Sequence, residues 1–128
     1  MTDRLLLDTA VLIYALQSPE SLGRRVKAAL ENEAISLELS AISLAEIAIK
    51  NSVGKLTLPA EAVRRAMQEL GIRIAPYTSD HAFRLFNLPR LHPDPFDRQI
   101  IAQALTEDIP VVTPDAKFKL YAGLKVIW

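Results

Sequence analysis

Residues 97–112, DRQIIAQALTEDIPVV, predict a helix that is followed directly by a strand. Four apolar residues recur at helical spacing and define the buried face of the helix over 97–107: Ile100, Ile101, Ala104 and Leu105. The apolar run 110–112 then predicts a strand, which the chain reaches after only Asp108 and Ile109. A helix and a strand in such close succession indicate an α/β domain with a parallel sheet.

The rest of the chain shows the same alternation of strands and helices. Strands are predicted over 4–7, 34–39, 72–75, 110–112 and, at the edge of the sheet, 125–128. Helices are predicted over 11–16, 22–30, 44–53, 59–70, 79–87 and 97–107, whereas 88–96 contains three prolines and cannot be regular helix. Because no linker or repeat interrupts this order, we expect one domain over 1–128, with a central, mainly parallel sheet covered by helices on both faces.

The composition narrows the classes of protein and partner. Fifteen basic and fifteen acidic residues cancel, so an anionic substrate would need a local basic patch or a metal. The absence of cysteine excludes a disulfide framework and a thiolate metal site. No signal peptide or membrane span is predicted, and we expect a cytoplasmic protein. Half of the residues are hydrophobic, which indicates either burial against another chain or a helical domain rich in leucine and alanine.

Four short acidic motifs lie where predicted strands end or helices begin. They are Leu7-Asp8-Thr9, Ser43-Leu44-Ala45-Glu46, Asp94-Pro95-Phe96-Asp97-Arg98 and Thr113-Pro114-Asp115. Asp8 and Asp115 follow the first and fourth strands, and the carboxyl ends of parallel strands open onto one edge of the sheet. Glu46 and Asp97 lie near the starts of helices that run back from that edge. We therefore expect these acids to converge and to require a cation.

Each acid also has a purely structural alternative. Asp8 and Asp97 could cap helices, and Asp115 could stabilise a turn. Glu46 could form a capping box with Ser43, or pair with Lys50 one turn later. Against this, Asp97 precedes two residues of the buried helical stripe by three and four positions, so it points along the core face. The joint placement of the acids favours one site over four separate caps.

The ligands available decide which metal is expected. The four motifs supply carboxylates and hydroxyls, whereas His81 and His92 lie outside them. Oxygen ligands of this kind favour Mg²⁺ or Mn²⁺, and the lack of a histidine or cysteine cluster disfavours zinc. A Mg²⁺ held by few carboxylates keeps positions for water and phosphate oxygens, which suits phosphoryl chemistry.

The ordered motifs resemble the PIN domain, and more narrowly the VapC-type toxins of bacterial toxin–antitoxin pairs. The resemblance includes the string His92-Pro93-Asp94-Pro95-Phe96-Asp97-Arg98, which runs into the helix, and its most specific part is Asp94-Pro95-Phe96-Asp97-Arg98. The resemblance implies a compact three-layer α/β/α fold and an endoribonuclease that depends on Mg²⁺ or Mn²⁺. The implied catalytic and metal-binding residues are the four acids: Asp8, Glu46, Asp97 and Asp115.

Several neighbouring residues have two interpretations under this resemblance. Asp94 either contacts one of the metal-binding acids without binding the metal itself, or only shapes the proline-rich turn. Thr9 and Thr113 either orient the site through their hydroxyls or act as turn residues. Tyr121 and Trp128 either stack on bases or pack in the protein.

The resemblance also implies partners. VapC-type toxins form homodimers and are inhibited by a small antitoxin, which would account for the surplus of apolar residues. Arg98, Lys117 and Lys119 are the first candidates for contacts with the RNA backbone, followed by Lys50 and Lys55. The alternatives are that the lysines are solvated surface charges and that Arg98 pairs with Asp94.

Three other classes compete with a PIN-type nuclease. A Mg²⁺-binding receiver domain needs an acidic pair after the first strand, where Asp8 stands alone, and an aspartate after the third, where Pro76-Tyr77 follows. A phosphatase with an aspartate nucleophile usually shows a second acid two residues on, where this chain has Ala10. A non-catalytic PIN-fold binding partner would not need the acids, yet all four are present.

Overall fold

The computed structural model describes residues 3–128, which form a five-stranded parallel sheet between two layers of helices. The strands are β1 (Arg4–Leu7), β2 (Ser36–Ser40), β3 (Ile72–Ala75), β4 (Val111–Val112) and β5 (Val126–Ile127). Their order in the sheet is β3-β2-β1-β4-β5, with β1 at the centre and β5 at an edge. The predicted α/β class, the parallel sheet and the position of the last strand are confirmed.

Within residues 3–128, six α-helices cover the sheet. They are α1 (Thr9–Gln17), α2 (Arg24–Glu31), α3 (Ala41–Ser52), α4 (Ala60–Leu70), α5 (Ser79–Arg84) and α6 (Pro95–Glu107). Short 3₁₀ helices occur at Pro19–Ser21, Leu85–Asn87 and Ala116–Leu120. Among the helices of residues 3–128, none has the length and apolarity that a bilayer crossing requires.

The side chains of β1 divide the core into two layers. Leu5 and Leu7 pack into the apolar cluster on one face of the sheet, and Leu6 packs into the cluster on the other. This alternation follows from the period of two along a strand, and burial on both faces is characteristic of parallel sheets. Ile100 and Ile101 of α6 are fully buried in the same cluster as Leu6. Helices therefore lie on both faces of the sheet, as predicted.

Strand register sets the geometry of one edge of the sheet. Leu7 lies opposite Leu39 of β2 and Val112 of β4. The residues that follow these three positions are therefore brought side by side at the carboxyl edge of the sheet: Asp8, Ser40 and Thr113. The predicted convergence of strand ends has its origin in this register.

Three helices begin earlier than predicted: α1, which begins at Thr9 rather than at residue 11, and two helices that begin at a side-chain cap. α6 begins at Pro95 rather than at Asp97, because Asp94 Oδ1 accepts hydrogen bonds from the backbone N–H groups of Phe96 (2.8 Å) and Asp97 (3.1 Å). Proline suits the first helical position, since it has no N–H to leave unpaired there. α3 begins at Ala41 rather than at residue 44, because the Ser40 hydroxyl accepts from Ile42 N–H at 3.1 Å.

Other predicted boundaries need smaller corrections. The helix predicted over 79–87 is α5 followed by a 3₁₀ turn, and Thr78 rather than Ser79 occupies its N-cap. The helix predicted over 59–70 is α4, whose end is set by Gly71 in the left-handed conformation, with φ at 67°. β4 has only two residues, since Pro110 precedes it and offers no N–H for the sheet.

Candidate active site

All four predicted acids line one cavity of about 380 Å³ at the carboxyl edge of the sheet. The polar residues that line it with them are Thr9, Tyr14, Lys50 and Asp94. The acids come from four separate parts of the chain, because the edge collects the end of β1, the body of α3, the start of α6 and the segment after β4. The structure thus brings together the acids that the four motifs singled out.

Asp8 is held by the neighbouring strand. The Thr113 hydroxyl donates a 2.6 Å hydrogen bond to Asp8 Oδ2, and Asp8 as a residue is only 5 % exposed. Asp8 occupies the N-cap position of α1, but its side chain makes no capping hydrogen bond. The capping alternative is therefore wrong for this side chain. The hydroxyl of the next residue, Thr9, donates to Ser43 Oγ at 2.8 Å and so connects α1 to α3.

Glu46 has one satisfied and one unsatisfied carboxylate oxygen. Lys50 Nζ donates to Glu46 Oε2 at 2.6 Å, which confirms the pairing one turn apart. Glu46 Oε1 is buried and has no hydrogen-bond partner among residues 3–128. The capping-box alternative is wrong, since Ser40 caps α3 and Ser43 lies inside the helix. A buried, unpaired carboxylate oxygen is costly, and a bound cation would remove that cost.

Asp97 and Asp115 meet at a histidine. His92 Nε2 lies 2.7 Å from Asp115 Oδ2 and 3.1 Å from Asp97 Oδ2. Asp97 does not cap α6, because Asp94 holds that position. Asp115 Oδ1 accepts a hydrogen bond from Lys117 N–H at 2.9 Å. Asp115 therefore stabilises the turn and also lines the cavity.

His92 is the site residue that the sequence analysis left outside the acidic motifs. It stands two positions before Asp94, just ahead of the most specific string of the chain, and that proximity was the available signal. One of its ring nitrogens and one oxygen each of Asp97 and Asp115 all lie within 4.8 Å of one another. Asp97 and Asp115 therefore lie close enough together to share a single ion, with the His92 ring in contact with both.

Burial and mutual repulsion disfavour full ionisation of the acids. Burial, and after it the charges of Asp8, Asp94, Glu46 and Asp115, together raise the pKa of Asp97 to about 8. Burial also raises the pKa of Asp8 to about 6, against the lowering effect of the Thr113 hydrogen bond. Burial would raise the pKa of Asp115 too, but the hydrogen bonds from His92 and Lys117 N–H lower it overall.

The donor set fits a hard divalent cation. Four carboxylates supply oxygen atoms, one of them buried without a partner, and two of the acids have pKa values raised by crowding and burial. A divalent cation would neutralise this charge and pair the free oxygen, as expected for Mg²⁺ or Mn²⁺ sites. Asp8, Glu46, Asp97 and Asp115 are the side chains that could hold it.

Asp94 and the basic candidates take different positions. Asp94 shapes the proline-rich turn by capping α6 and also lines the cavity. The Arg98 guanidinium donates to the carbonyls of Pro89 (3.1 Å) and Leu88 (3.4 Å) rather than to the Asp94 carboxylate. Lys117 and Lys119 are exposed in the 3₁₀ helix after Asp115, whereas Lys50 lines the cavity itself.

The two aromatic candidates differ in exposure, because Tyr121 is buried whereas Trp128 is 39 % exposed. Tyr121 is 3 % exposed, and its hydroxyl donates to Pro89 O and accepts from the N–H groups of Leu91 and His92. The base-stacking interpretation is therefore wrong for Tyr121. The Trp128 ring lies against Tyr14, with ring centroids 6.3 Å apart.

The comparisons with known proteins agree with this geometry. The PIN domain family model matches residues 5–124. The fold is similar to a chain of VapBC2 from Rickettsia felis bound to a promoter DNA fragment, at 22 % identity and a TM-score of 0.72 over 97 % of each chain. It is also similar to DNA-bound VapBC from Salmonella typhimurium, at 17 % identity and a TM-score of 0.68 over 99 % of this chain and 98 % of that one.

A third similar structure is FitAcB from Neisseria gonorrhoeae, at 24 % identity and a TM-score of 0.63 over 97 % of this chain and 96 % of that one. No curated protein matches the chain by sequence. These identities are low, so the structural similarity shows a shared fold, while the family match spans nearly the whole sequence. The acids at one sheet edge, the three-layer fold and the match over residues 5–124 lead to one conclusion: the chain belongs to the PIN domain family.

Proposed function

We propose that this protein is a metal-dependent endoribonuclease, the VapC-type toxin of a type II toxin–antitoxin pair. The observation that carries the proposal is the convergence of Asp8, Glu46, Asp97 and Asp115 on one cavity, with Glu46 Oε1 buried and unpaired. Membership of the PIN family and the similarity to chains of VapBC complexes support it. The family match also makes a receiver domain or an aspartate phosphatase the weaker alternatives.

In this proposal the four acids hold Mg²⁺ or Mn²⁺. The ion, when bound, supplies a water of lowered pKa and offsets the negative charge that develops on the scissile phosphate. The chain's own residues prepare the site: the Thr113 hydroxyl orients Asp8, and the Lys50 ammonium fixes Glu46 through Oε2, which leaves Oε1 for another ligand. Lys50 also brings a positive charge into the cavity, where an RNA phosphate would lie.

The partners are part of the same proposal. A small antitoxin that inhibits the nuclease is expected because the similar structures are those of VapBC and FitAcB. We also expect a homodimer, since large apolar side chains remain exposed on this single chain, among them Phe83 and Phe86.

The test is RNA cleavage by the purified, antitoxin-free protein. Structured RNA is incubated with wild type in Mg²⁺ or Mn²⁺, beside an EDTA control, the Asp8→Asn variant and a matched Glu61→Gln variant. Glu61 is an exposed acid on α4, so its variant should cleave like wild type. We expect EDTA and Asp8→Asn each to abolish cleavage. Cleavage that survives both would refute the metal mechanism, and no cleavage by metal-loaded wild type would favour a binding-only PIN protein.

A further inference from the structure

His92 is buried beside Asp97 and Asp115, close to the N-terminus of α6. Its Nε2 atom lies 2.7 Å from Asp115 Oδ2 and 3.1 Å from Asp97 Oδ2, so one ring atom contacts acids that are 18 residues apart in the chain. The side chain is 4 % exposed. Two carboxylates this close to one another repel, and a hydrogen-bond donor placed between them offsets part of that repulsion.

The other ring nitrogen fixes the position of the proton. The backbone N–H of Asp94 donates to His92 Nδ1 at 3.1 Å, so Nδ1 must present its lone pair. A neutral imidazole has one donor and one acceptor nitrogen, and the proton is therefore on Nε2. In this tautomer Nε2 donates to Asp115 Oδ2, lies 3.1 Å from Asp97 Oδ2 and has no lone pair to offer a metal.

The ring is also held rigidly from outside the cavity. The backbone N–H of His92 donates to the Tyr121 hydroxyl at 2.9 Å. The imidazole packs edge-on against Phe118, with ring centroids 5.6 Å apart and an interplanar angle of 87°. Both residues are buried members of the core cluster behind the site. The orientation of the Nε2–H donor is thus set by packing as well as by the Asp94 hydrogen bond.

We propose that His92 is a positioning residue that aims the Asp97 and Asp115 carboxylates at a metal without binding the metal itself. The imidazole holds Asp115 Oδ2 by a hydrogen bond and lies against Asp97 Oδ2, and so restricts where the remaining lone pairs of the two acids point. This inference rests on the proposed function, because it assumes that the acids bind a divalent cation. Hydrogen-bond partners of metal ligands commonly change metal affinity about 10–100-fold when they are removed.

Two substitutions test the roles of the two ring nitrogens of His92 separately. His92→Gln places an amide N–H near the position of Nε2 and keeps a donor to the acids. His92→Asn places a carbonyl near the position of Nδ1, keeps the Asp94 contact and loses that donor. We expect His92→Asn to raise the Kd for Mn²⁺ about 10–100-fold, and His92→Gln to restore most of the affinity. Calorimetric titration of the RNA-free protein with Mn²⁺ measures both, and circular dichroism confirms folding.

His81 provides a matched control. It is also a buried histidine whose Nδ1 accepts a backbone N–H, from Thr78 at 2.9 Å, and whose Nε2 lies 3.0 Å from a carboxylate, that of Glu107. It does not line the acidic cavity. His81→Asn should therefore lower the melting temperature while leaving the Mn²⁺ affinity unchanged.

A spectroscopic measurement tests the same inference on wild type. Pulsed electron paramagnetic resonance of the Mn²⁺-loaded protein should show no directly coordinated imidazole nitrogen, and a coordinated nitrogen that disappears in His92→Gln would overturn the positioning role. Equal Mn²⁺ affinity of folded His92→Asn and wild type would overturn it as well, while leaving the proposed function intact. If wild type binds no Mn²⁺ at all, the proposed function fails and this inference fails with it.

Discussion

The Thr113 hydroxyl donates a 2.6 Å hydrogen bond to Asp8 Oδ2, across the boundary between β4 and β1. Both residues directly follow paired positions of the sheet, Val112 and Leu7, so the strand register itself brings them together. The bond is buried, and it lowers the pKa of Asp8 against the larger effect of burial. Thr113 thus keeps a buried carboxylate partly ionised and fixed in direction.

Replacing Thr113 by valine should weaken both the fold and the site. Thr113→Val keeps the side-chain shape but leaves Asp8 Oδ2 without its donor, which should lower the free energy of unfolding by about 1–3 kcal/mol. The pKa of Asp8 should rise above its value of about 6, and RNA cleavage at neutral pH should fall. Thr113→Ser, which retains the hydroxyl, is the control. Urea denaturation and a cleavage assay measure the two effects, and equal cleavage by the valine and serine variants would contradict the assigned role.

The metal-free protein should lose stability as the pH rises towards 8. Asp97 has a pKa of about 8 in the folded protein and 3.8 as an ordinary carboxyl group, so between these values the folded state holds a proton that the unfolded chain has released. Since the folded state binds more protons, its free energy of unfolding falls with increasing pH across this window. Asp8 adds to the fall up to about pH 6.

Asp97→Asn isolates this effect. In EDTA the variant should lack the fall in melting temperature between pH 6 and pH 8, and should be more stable than wild type at the upper end. Asp108→Asn changes an exposed acid at the end of the same helix and should melt like wild type at every pH. If the melting temperature of wild type in EDTA stays constant or rises between pH 6 and pH 8, the pKa of Asp97 is not raised by burial and neighbouring charges, and the prediction is wrong.

Local patterns in the sequence identified the elements but not all of their ends. The apolar run of β1 and the helical stripe of α6 are strong sequence signals, because both elements are buried in the core. The start of α3 was misplaced because Ser40 and Ser43 both satisfy the capping rule, and only the tertiary structure, in which Thr9 bonds to Ser43, distinguishes them. A local rule cannot choose between two serines that stand three residues apart.

The convergence of the acids was predicted where it depends on strand ends, whereas the contact of His92 with two of them, which depends on side-chain packing, was not predicted. Asp8 and Asp115 follow predicted strands, so topology alone placed them on one edge. His92 lies in the irregular segment before α6, and its contact with Asp115 spans 23 residues of sequence. Its orientation results from the Asp94 hydrogen bond and from packing on Phe118, neither of which has a periodic signature.

Removing the Lys50 charge should shift metal affinity and RNA cleavage in opposite directions. Lys50 is the basic side chain among those that line the cavity, and it pairs with Glu46 at 2.6 Å. Lys50→Met makes the cavity more negative, so Mn²⁺ should bind more tightly. RNA cleavage should nevertheless fall by about tenfold or more, the expected result of losing a charged contact worth roughly 1.5–3 kcal/mol.

Lys50→Arg, which keeps the charge, and Lys27→Met, which removes an exposed lysine on α2, are the controls for this experiment. Calorimetric titration with Mn²⁺ and a cleavage assay at saturating metal separate the two effects. Weaker Mn²⁺ binding by Lys50→Met would show that Lys50 acts mainly by holding Glu46 in place rather than by its charge.

Gln103 should be the main polar support beneath the site. It is fully buried on α6, accepts from the Ser40 hydroxyl at 2.6 Å and donates to Pro76 O at 3.1 Å, so it joins α6 to the start of α3 and the end of β3. Gln103→Leu leaves these groups buried without their partner and should lower the free energy of unfolding by about 2 kcal/mol or more. Gln99→Leu changes the more exposed glutamine one turn earlier and should have a much smaller effect, since its amide bonds only to Pro95 O. Urea denaturation of both variants measures the difference, and equal stabilities would show that the Gln103 hydrogen bonds contribute little to the fold.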